Sequence, residues 1–347
     1  MSKVAIGISG GVDSSVALHL LKEAGHEVIA IHMKLIDENS RDSDAQKDAQ
    51  AVAEHFNVPF HLVHLEEAFE KEVIAPFAQS YLKGDTPNPC VRCNATIKFG
   101  ALWQAAQALG CDYLATGHYV RTVPKEGRIL LAAPKDHAKD QSYFLWGVAS
   151  EVLSHVLTPL GDYTKDEVRD IAAALQLFTA KKKESQEICF IPNDDYAAFL
   201  EGYCPERLPK DGSFIAQDGH ALGTHHGAWR YTIGQRRGLG LALGYPAYVV
   251  NTNAQANTVT VGTNEALMRT TLVARDVNRQ AAMPKEGEAL IKVRSRDKGT
   301  LGHYCLEGER LFVTFNEAVR AITPGQSVVL YDGDGHVLAG GIIEPLQ

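Results

Sequence analysis

Ser9-Gly10-Gly11-Val12-Asp13-Ser14-Ser15 stands between a short apolar, β-branched run, Val4 to Ile8, and a helical pattern from about Ser14 to Ala24. A strand, a glycine-rich turn and a helix in that order present backbone amides and a helix N-terminus to an anion. The glycines let the main chain approach a ligand closely, and the hydroxyls of Ser9, Ser14 and Ser15 are donors for phosphate oxygens. Asp13 has two readings: it holds Mg2+ against the phosphates, or it caps the helix. No Gly-Lys-Ser/Thr follows, so this is not a Walker A loop and chemistry at a γ-phosphate is not implied. Gly-Gly turns with Ser and Asp caps also join strands to helices without any ligand. The length of this stretch and its place after the first strand favour a phosphate loop.

Working outward, Val28 to Met33 reads as a second strand and Phe60 to Leu65 as a third. Between them Ala45, Ala49, Val52, Ala53 and Phe56 recur at helical spacing. A helix over about 70–82, kinked by Pro76, leads to a loop holding Thr86-Pro87-Asn88-Pro89, and a further helix spans about 96–109. Tyr113 to Thr116 is again strand-like. Strands alternating with helices predict an α/β fold with a doubly wound parallel sheet, covering 1–205. Beyond about Pro205 the texture changes. Turn pairs such as Asp211-Gly212, Asp218-Gly219, Asp332-Gly333 and Asp334-Gly335 separate short β-rich runs at Val249-Val250, 259–261, 289–293, 311–315 and 328–331. This predicts a small central β-rich domain over 206–270 and a C-terminal β-barrel over 271–347.

The 347 residues are 45% apolar, enough for several cores, and no stretch approaches a membrane span. The first residues run straight into a strand pattern without the features of a signal peptide, which leads us to expect a cytosolic protein. A net charge of −8 argues against indiscriminate nucleic-acid binding but leaves room for local basic clusters. The candidates are Lys181-Lys182-Lys183, Arg236-Arg237 and Arg294/Arg296/Lys298, each of which alone reads as solvated surface.

Six cysteines are too few for a disulfide scaffold. Cys90 and Cys93, in Asn88-Pro89-Cys90-Val91-Arg92-Cys93-Asn94, stand just ahead of a helix and beside Arg92, a setting that favours thiolate. A closed zinc site would need a second Cys pair, and there is none. Cys189 lies in Ser185-Gln186-Glu187-Ile188-Cys189-Phe190-Ile191-Pro192, after the basic run, in what looks like strand. Taken alone it reads as an inert buried thiol. Cys111, Cys204 and Cys305 lack comparable settings.

The phosphate loop resembles the signature of the ATP pyrophosphatase (PP-loop) superfamily, which cleaves ATP between its α and β phosphates. With the cysteine segments, the resemblance narrows to the tRNA-specific 2-thiouridylase family and covers essentially the whole chain. It is carried by Asn88-Pro89 with Cys93-Asn94 and Ile97-Lys98-Phe99, by 113–119, by Lys139-Asp140-Gln141-Ser142-Tyr143-Phe144-Leu145, by Ile188 to Ile191, by 231–240 and by Thr323-Pro324-Gly325-Gln326. Gly238-x-Gly240 alone could pass for a weak dinucleotide fingerprint, but no helix follows it.

The resemblance implies a HUP-type sheet with ATP bound by Gly7, Ile8, Ser9, Gly10, Gly11, Val12, Asp13 and Ser14, Met33 near the adenine and Gly117 at the end of a later strand. It implies Cys93 as nucleophile and Cys189 as carrier of a persulfide received from an upstream donor, such as a cysteine desulfurase or relay protein. Asn88, Pro89 and Cys90 are implied near the target base, and His118, Lys139, Asp140, Gln141 and Gln326 against tRNA. Lys292 and Arg294 are further phosphate-contact candidates. The tRNAs implied are those for Lys, Glu and Gln. In the implied reaction ATP adenylates C2–O of the wobble uridine, sulfur replaces it, and a Cys93–Cys189 disulfide can close the cycle. Cys90 stands where many members carry Asp. Three thiolates at Cys90, Cys93 and Cys189 could instead hold a [4Fe–4S] cluster, as in related RNA thiolases. Two other readings stay open: a nitrogen-transferring PP-loop ligase, and a non-catalytic RNA- or metal-binding protein.

Overall fold

The computed structural model describes residues 1–36, 40–182 and 188–345. Lys183 and Ser185-Gln186-Glu187, singled out above, lie outside the described residues. Strand β1 (Lys3–Gly7) is apolar on both sides because both sides are covered: Val4 and Ile6 face one helical layer and Ala5 the other. It is followed by β2 (Glu27–Lys34), β3 (Phe60–His64) and β4 (Tyr113–Ala115), by a hairpin of β5 (Arg121–Lys125) and β6 (Arg128–Ala132), and by the short β7 (Val156–Leu157). Five of these form a parallel sheet in the order β3-β2-β1-β4-β7. The order reverses between β1 and β4, so a crevice opens at their carboxyl ends, where ligands bind in sheets of this kind.

Helices α1 (Val12–Glu23) and α2 (Ser40–His55) pack on one face of this sheet. Next come α3 (Glu66–Phe69), a π-helical turn over Glu70–Ile74, and α4 (Ala75–Leu82). Pro76 falls just after the π-helical turn gives way to α-helix. It sits in the first turn of α4, and the Glu72 carbonyl that a non-proline residue at 76 would bond accepts from Nε of Arg92 instead.

The cysteine-bearing helix also starts earlier than its spacing predicts. Asn88 accepts from the Cys90 amide at 3.2 Å as N-cap and Pro89 is the first helical residue, so α5 (Pro89–Cys93) begins there. It runs through a π segment, Asn94–Ala101, into α6 (Leu102–Ala108), which covers the other sheet face. Cys90 and Cys93 are therefore on the helix rather than ahead of it. Beyond β6 lie α7 (Ser150–Leu153), α8 (Lys165–Ala174), which joins α1 and α2, and α9 (Tyr196–Tyr203). Among the described residues no helix is long and apolar enough to cross a membrane.

The central domain is a four-stranded sheet of β8 (Gly212–Ala216), β9 (Ala221–His225), β10 (Tyr248–Asn253) and β11 (Thr258–Gly262), in the order β10-β11-β8-β9. The last six strands are β12 (Met268–Arg279), β13 (Glu286–Lys292), β14 (Thr300–Glu307), β15 (Arg310–Arg320), β16 (Ser327–Tyr331) and β17 (Val337–Ile343), and they close into a barrel. Strictly alternating burial along β14 fits one face on the barrel core and one in solvent.

The barrel is plugged onto the first domain by residues 142–148. Tyr143 donates to the Ser327 carbonyl at 2.9 Å, Trp146 Nε1 donates to Ser327 Oγ at 2.9 Å, and Ser142 Oγ lies 3.1 Å from the Tyr331 hydroxyl. Tyr143, Leu145, Trp146 and Val148 share one core with Val329, Tyr331 and Val337 of the barrel. Gly340 is required where it is, because a Cβ there would come within 2.5 Å of the Trp146 ring.

Candidate active site

The loop from Ser9 to Ser15 occupies the crevice at the β1/β4 reversal. Gly10 has φ +71, and a Cβ on it would meet α2 at 2.7 Å from Asp48 Cβ, so only glycine lets the loop fold this tightly. Gly11 is the N-cap of α1, and its carbonyl accepts from Ser14 Oγ at 3.1 Å and Ser15 Oγ at 2.8 Å. Gly117, just past β4, presses on the same loop. A Cβ there would stand 2.8 Å from the Ser14 amide nitrogen and 3.0 Å from the Asp13 carbonyl carbon. Met33 is partly buried near the end of β2, on the edge of the main core.

Asp13 does not cap α1. The ammonium of Lys165, at the start of α8 and almost wholly buried, lies 2.8 and 2.9 Å from its two carboxylate oxygens, and the Tyr119 hydroxyl donates to it at 2.8 Å. Both oxygens are thus taken by protein donors, and this neutralised carboxylate does not fit a resident Mg2+. The motif reading missed Lys165. A sequence signal exists in Thr164-x-x-Glu167, a capping box that fixes where α8 begins. Lys182, from the basic run, donates to the Gly10 carbonyl at 3.2 Å and pairs with Asp48. That cation is a clamp on the loop and not merely solvated surface.

The thiols lie on α5 and on the turn ahead of Pro192, in segments whose apolar residues share one core, with Met33 near the end of β2 packed against it. Cys93 is buried, in one core with Ile97 and Phe190. Ile188 to Ile191 is a turn, closed by the Ile191 amide on the Ile188 carbonyl at 3.0 Å, and not the strand its residues suggest. Phe190 and Ile191 are buried among the aromatics of α3, α4 and α9, which leaves Cys189 exposed beside them. Cys90 is exposed as well. Electrostatically each thiol registers its neighbours: Cys93 feels Cys90, and Cys189 feels both. All six cysteines are free thiols.

Their protonation differs from the expectation. The surrounding protein desolvates the sulfurs and pushes Cys90 and Cys93 up, and Cys189 up to about 12. Burial outweighs the helix N-terminus and the cation. Nor is Arg92 that cation, since it bridges to Glu72 at 3.0 Å. Lys98 is, and its charge opposes the upward push on all three thiols. Asn94, next to Cys93, donates to the Phe144 carbonyl at 2.9 Å, which ties the thiol helix to the barrel plug.

Most of the residues expected against RNA make local or interdomain contacts. His118 lies 2.8 Å from Thr116 Oγ1, and burial and the charge of Lys98 hold it neutral, well below the usual imidazole range. Gln141 accepts from the Tyr119 amide at 2.8 Å, and Asp140 pairs with Lys292 at 3.3 Å. Gln326 donates to the Thr86 carbonyl at 2.7 Å and Arg294 to the Ala321 carbonyl at 3.0 Å. Asp140–Lys292 and Gln326–Thr86 join the barrel to the first domain, and Thr86 leads directly into Asn88. Lys139 lies in the short turn before Asp140. Arg236, Arg237, Arg296 and Lys298 are exposed.

Three family descriptions match nearly end to end: the tRNA methyl transferase HUP domain over residues 2–193, the tRNA methyl transferase PRC-barrel domain over 197–263, and the aminomethyltransferase beta-barrel domain over 269–343. The chain is 44% identical over 356 residues to the tRNA-specific 2-thiouridylase MnmA of Clostridium kluyveri, covering 99% of each chain. It is 43% identical over 354 residues to a tRNA-specific 2-thiouridylase of Clostridium tetani, covering 99% of this chain and 97% of that one. With this similarity along its whole length, the chain belongs to the tRNA-specific 2-thiouridylase family.

Proposed function

We propose that the protein binds ATP at the loop from Gly7 to Ser14, adenylates the C2 oxygen of a tRNA wobble uridine and replaces that oxygen with sulfur from the thiol site. The observation that carries this reading is a glycine-rich phosphate loop after the first strand of the sheet together with three thiols near enough to act on one another electrostatically. Amide or amine transfer by a PP-loop ligase has no use for the thiols, and methyl transfer has no use for a persulfide carrier.

A urea-like carbonyl is a poor electrophile, and hydroxide is a poor leaving group. Attack of the C2 oxygen on the α-phosphorus of ATP releases pyrophosphate and turns that oxygen into part of a good leaving group, AMP. Loop amides, the α1 N-terminus and Lys182 stabilise phosphate charge during this step. Cys189 carries the persulfide. The Cys93 thiolate attacks its inner sulfur, forming a Cys93–Cys189 disulfide and releasing hydrosulfide. Hydrosulfide adds at C2 and AMP departs with the oxygen, leaving 2-thiouridine. An external thiol then reduces the disulfide with two electrons. Cys90, Asn88 and Pro89 line the base position, and the base leaves its stack to reach it. The barrel over 271–347 contacts the tRNA, with Gln326, Arg294 and Lys139 at the border. The tRNAs are those for Lys, Glu and Gln, and the persulfide comes from a desulfurase-type donor.

The test is mass spectrometry of wobble nucleosides after incubation with ATP, unmodified tRNA and a persulfide donor, such as a cysteine desulfurase with free cysteine, under a thiol reductant. We expect a gain of 2-thiouridine with one pyrophosphate per sulfur. Pyrophosphate release without tRNA dependence, or no thiolated base, would remove the proposal. Purification without oxygen decides the role of Cys90: colourless, iron-free and active enzyme supports the persulfide route. Activity that requires bound iron would assign Cys90, Cys93 and Cys189 to a cluster.

A further inference from the structure

Lys98 is not among the residues assigned above. It sits in the π segment that follows Cys93, and a π turn bonds residue i to i+5, as the Leu102 amide does to the Ile97 carbonyl. In a regular α-helix two side chains five residues apart point about 140° away from each other. The wider π turn brings Lys98 round toward the side that carries Cys93. Its ammonium lies 3.4 Å from His118 Nε2. Because a charged lysine only donates, His118 must accept there, and Nδ1–H then donates to Thr116 Oγ1. A neutral histidine therefore holds the cation without neutralising it. Among the described residues no carboxylate pairs with Lys98, which is half-buried. Lys165 and Lys182, at the phosphate loop, each have a carboxylate partner.

A half-buried ammonium whose charge acts on all three sulfurs and that has no carboxylate partner among the described residues is a positive charge available to an anion. We propose that Lys98 is the charge-stabilising residue of the sulfur step: its ammonium balances the anion, thiolate or hydrosulfide, that forms between Cys93 and Cys189, and takes no part in adenylation. This rests on the sulfur-transfer reading above. The lysine supplies no electrons and keeps its proton, and its whole contribution is that the negative charge on sulfur develops beside a preset positive one in a desolvated cleft.

The experiment measures two outputs of the full-length enzyme with ATP, tRNA and a persulfide donor (a cysteine desulfurase with free cysteine): the first turnover of tRNA-dependent pyrophosphate release, and 2-thiouridine formation. Lys98→Gln keeps a hydrogen-bond donor for His118 and removes the charge. It is expected to lower thiolation by about 100-fold and to leave pyrophosphate release within about twofold. Lys98→Arg keeps the charge and is expected to restore thiolation to within about tenfold of wild type. Equal thiolation by Lys98→Gln and wild type would overturn the proposal, as would parallel loss of both outputs or failure of Arg to rescue. Absence of 2-thiouridine with the wild-type enzyme is a different result and would bring down the sulfur-transfer reading itself.

Discussion

The phosphate end, at the loop from Ser9 to Ser15, and the thiol end, at Cys90, Cys93 and Cys189, are built on different electrostatic plans. At the phosphate end the two lysines that reach the loop are paired before any ligand arrives, Lys165 on Asp13 and Lys182 on Asp48, and the hydroxyls of Ser14 and Ser15 rest on the Gly11 carbonyl. At the thiol end Arg92 is bridged to Glu72, but among the described residues Lys98 has only the neutral His118 beside it. Desolvation by the surrounding protein pushes the thiols toward the neutral form, although Cys90 and Cys189 reach the surface, and the charge of Lys98 opposes it. A cradle for an anion that arrives fully charged can be preset. A nucleophile that would react with any oxidant is better kept protonated until a substrate or persulfide closes over it. The two ends should therefore respond differently to mutation and to pH.

The largest separation is expected from Cys93→Ser and Cys189→Ser. Each should reduce thiolation by more than about 1,000-fold while the first turnover of tRNA-dependent pyrophosphate release is kept, as read by paired nucleoside and pyrophosphate assays with a persulfide donor. Full activity in either variant would break the relay and the contrast with it.

Alkylation of the resting enzyme sharpens the same contrast. A thiol raised to about 12 is protonated at neutral pH, and its thiolate fraction grows tenfold per pH unit until the pH reaches that value. Against an unperturbed thiol near about 8.5, Cys189 should react about 1,000-fold more slowly with iodoacetamide at pH 8. Its rate should climb with no plateau before pH 10. A plateau near pH 9, followed by peptide mass spectrometry, would mean that the thiol is already activated.

At the phosphate end, Asp13→Asn removes the partner of a buried lysine and should cost about 2–3 kcal/mol of stability and about 100-fold in adenylation. Adding Lys165→Met should return much of the stability in a denaturant titration and none of the adenylation. Recovery of adenylation by the double variant would show that the pair is scaffolding only.

The smallest effect is expected from Gly117→Ala. Its methyl would press on the backbone of residues 13 and 14, costing about 1–2 kcal/mol and weakening ATP use by about tenfold without altering alkylation of Cys189. A changed alkylation rate would show that the two ends are mechanically linked.

The sheet and the phosphate loop were legible because they depend on local chemistry. A run buried on both faces, a Gly-Gly turn and a helix start need no distant partner to be recognised. Less was visible at the thiol end. Asn88-Pro89 is an N-cap followed by an N1 proline, yet its Thr-Pro-Asn-Pro setting reads as loop, and that misplaced Cys90 and Cys93 relative to the helix. Ile188 to Ile191 has strand composition, but its apolar side chains are consumed by the aromatics of α3, α4 and α9. Apolar burial there overrides local preference.

From the chain alone followed the strand–loop–helix unit, the alternation that makes the sheet parallel and the change to β structure after residue 205. Each is written in spacing and residue type over a few turns of chain. The tertiary structure alone decided that Lys165 neutralises Asp13 across 152 residues, that residues 142–148 plug the barrel onto the first domain, and that desolvation pushes the thiols up while Lys98 opposes it. These depend on desolvation and on contacts between segments far apart in the chain, and both exist only once the chain has folded.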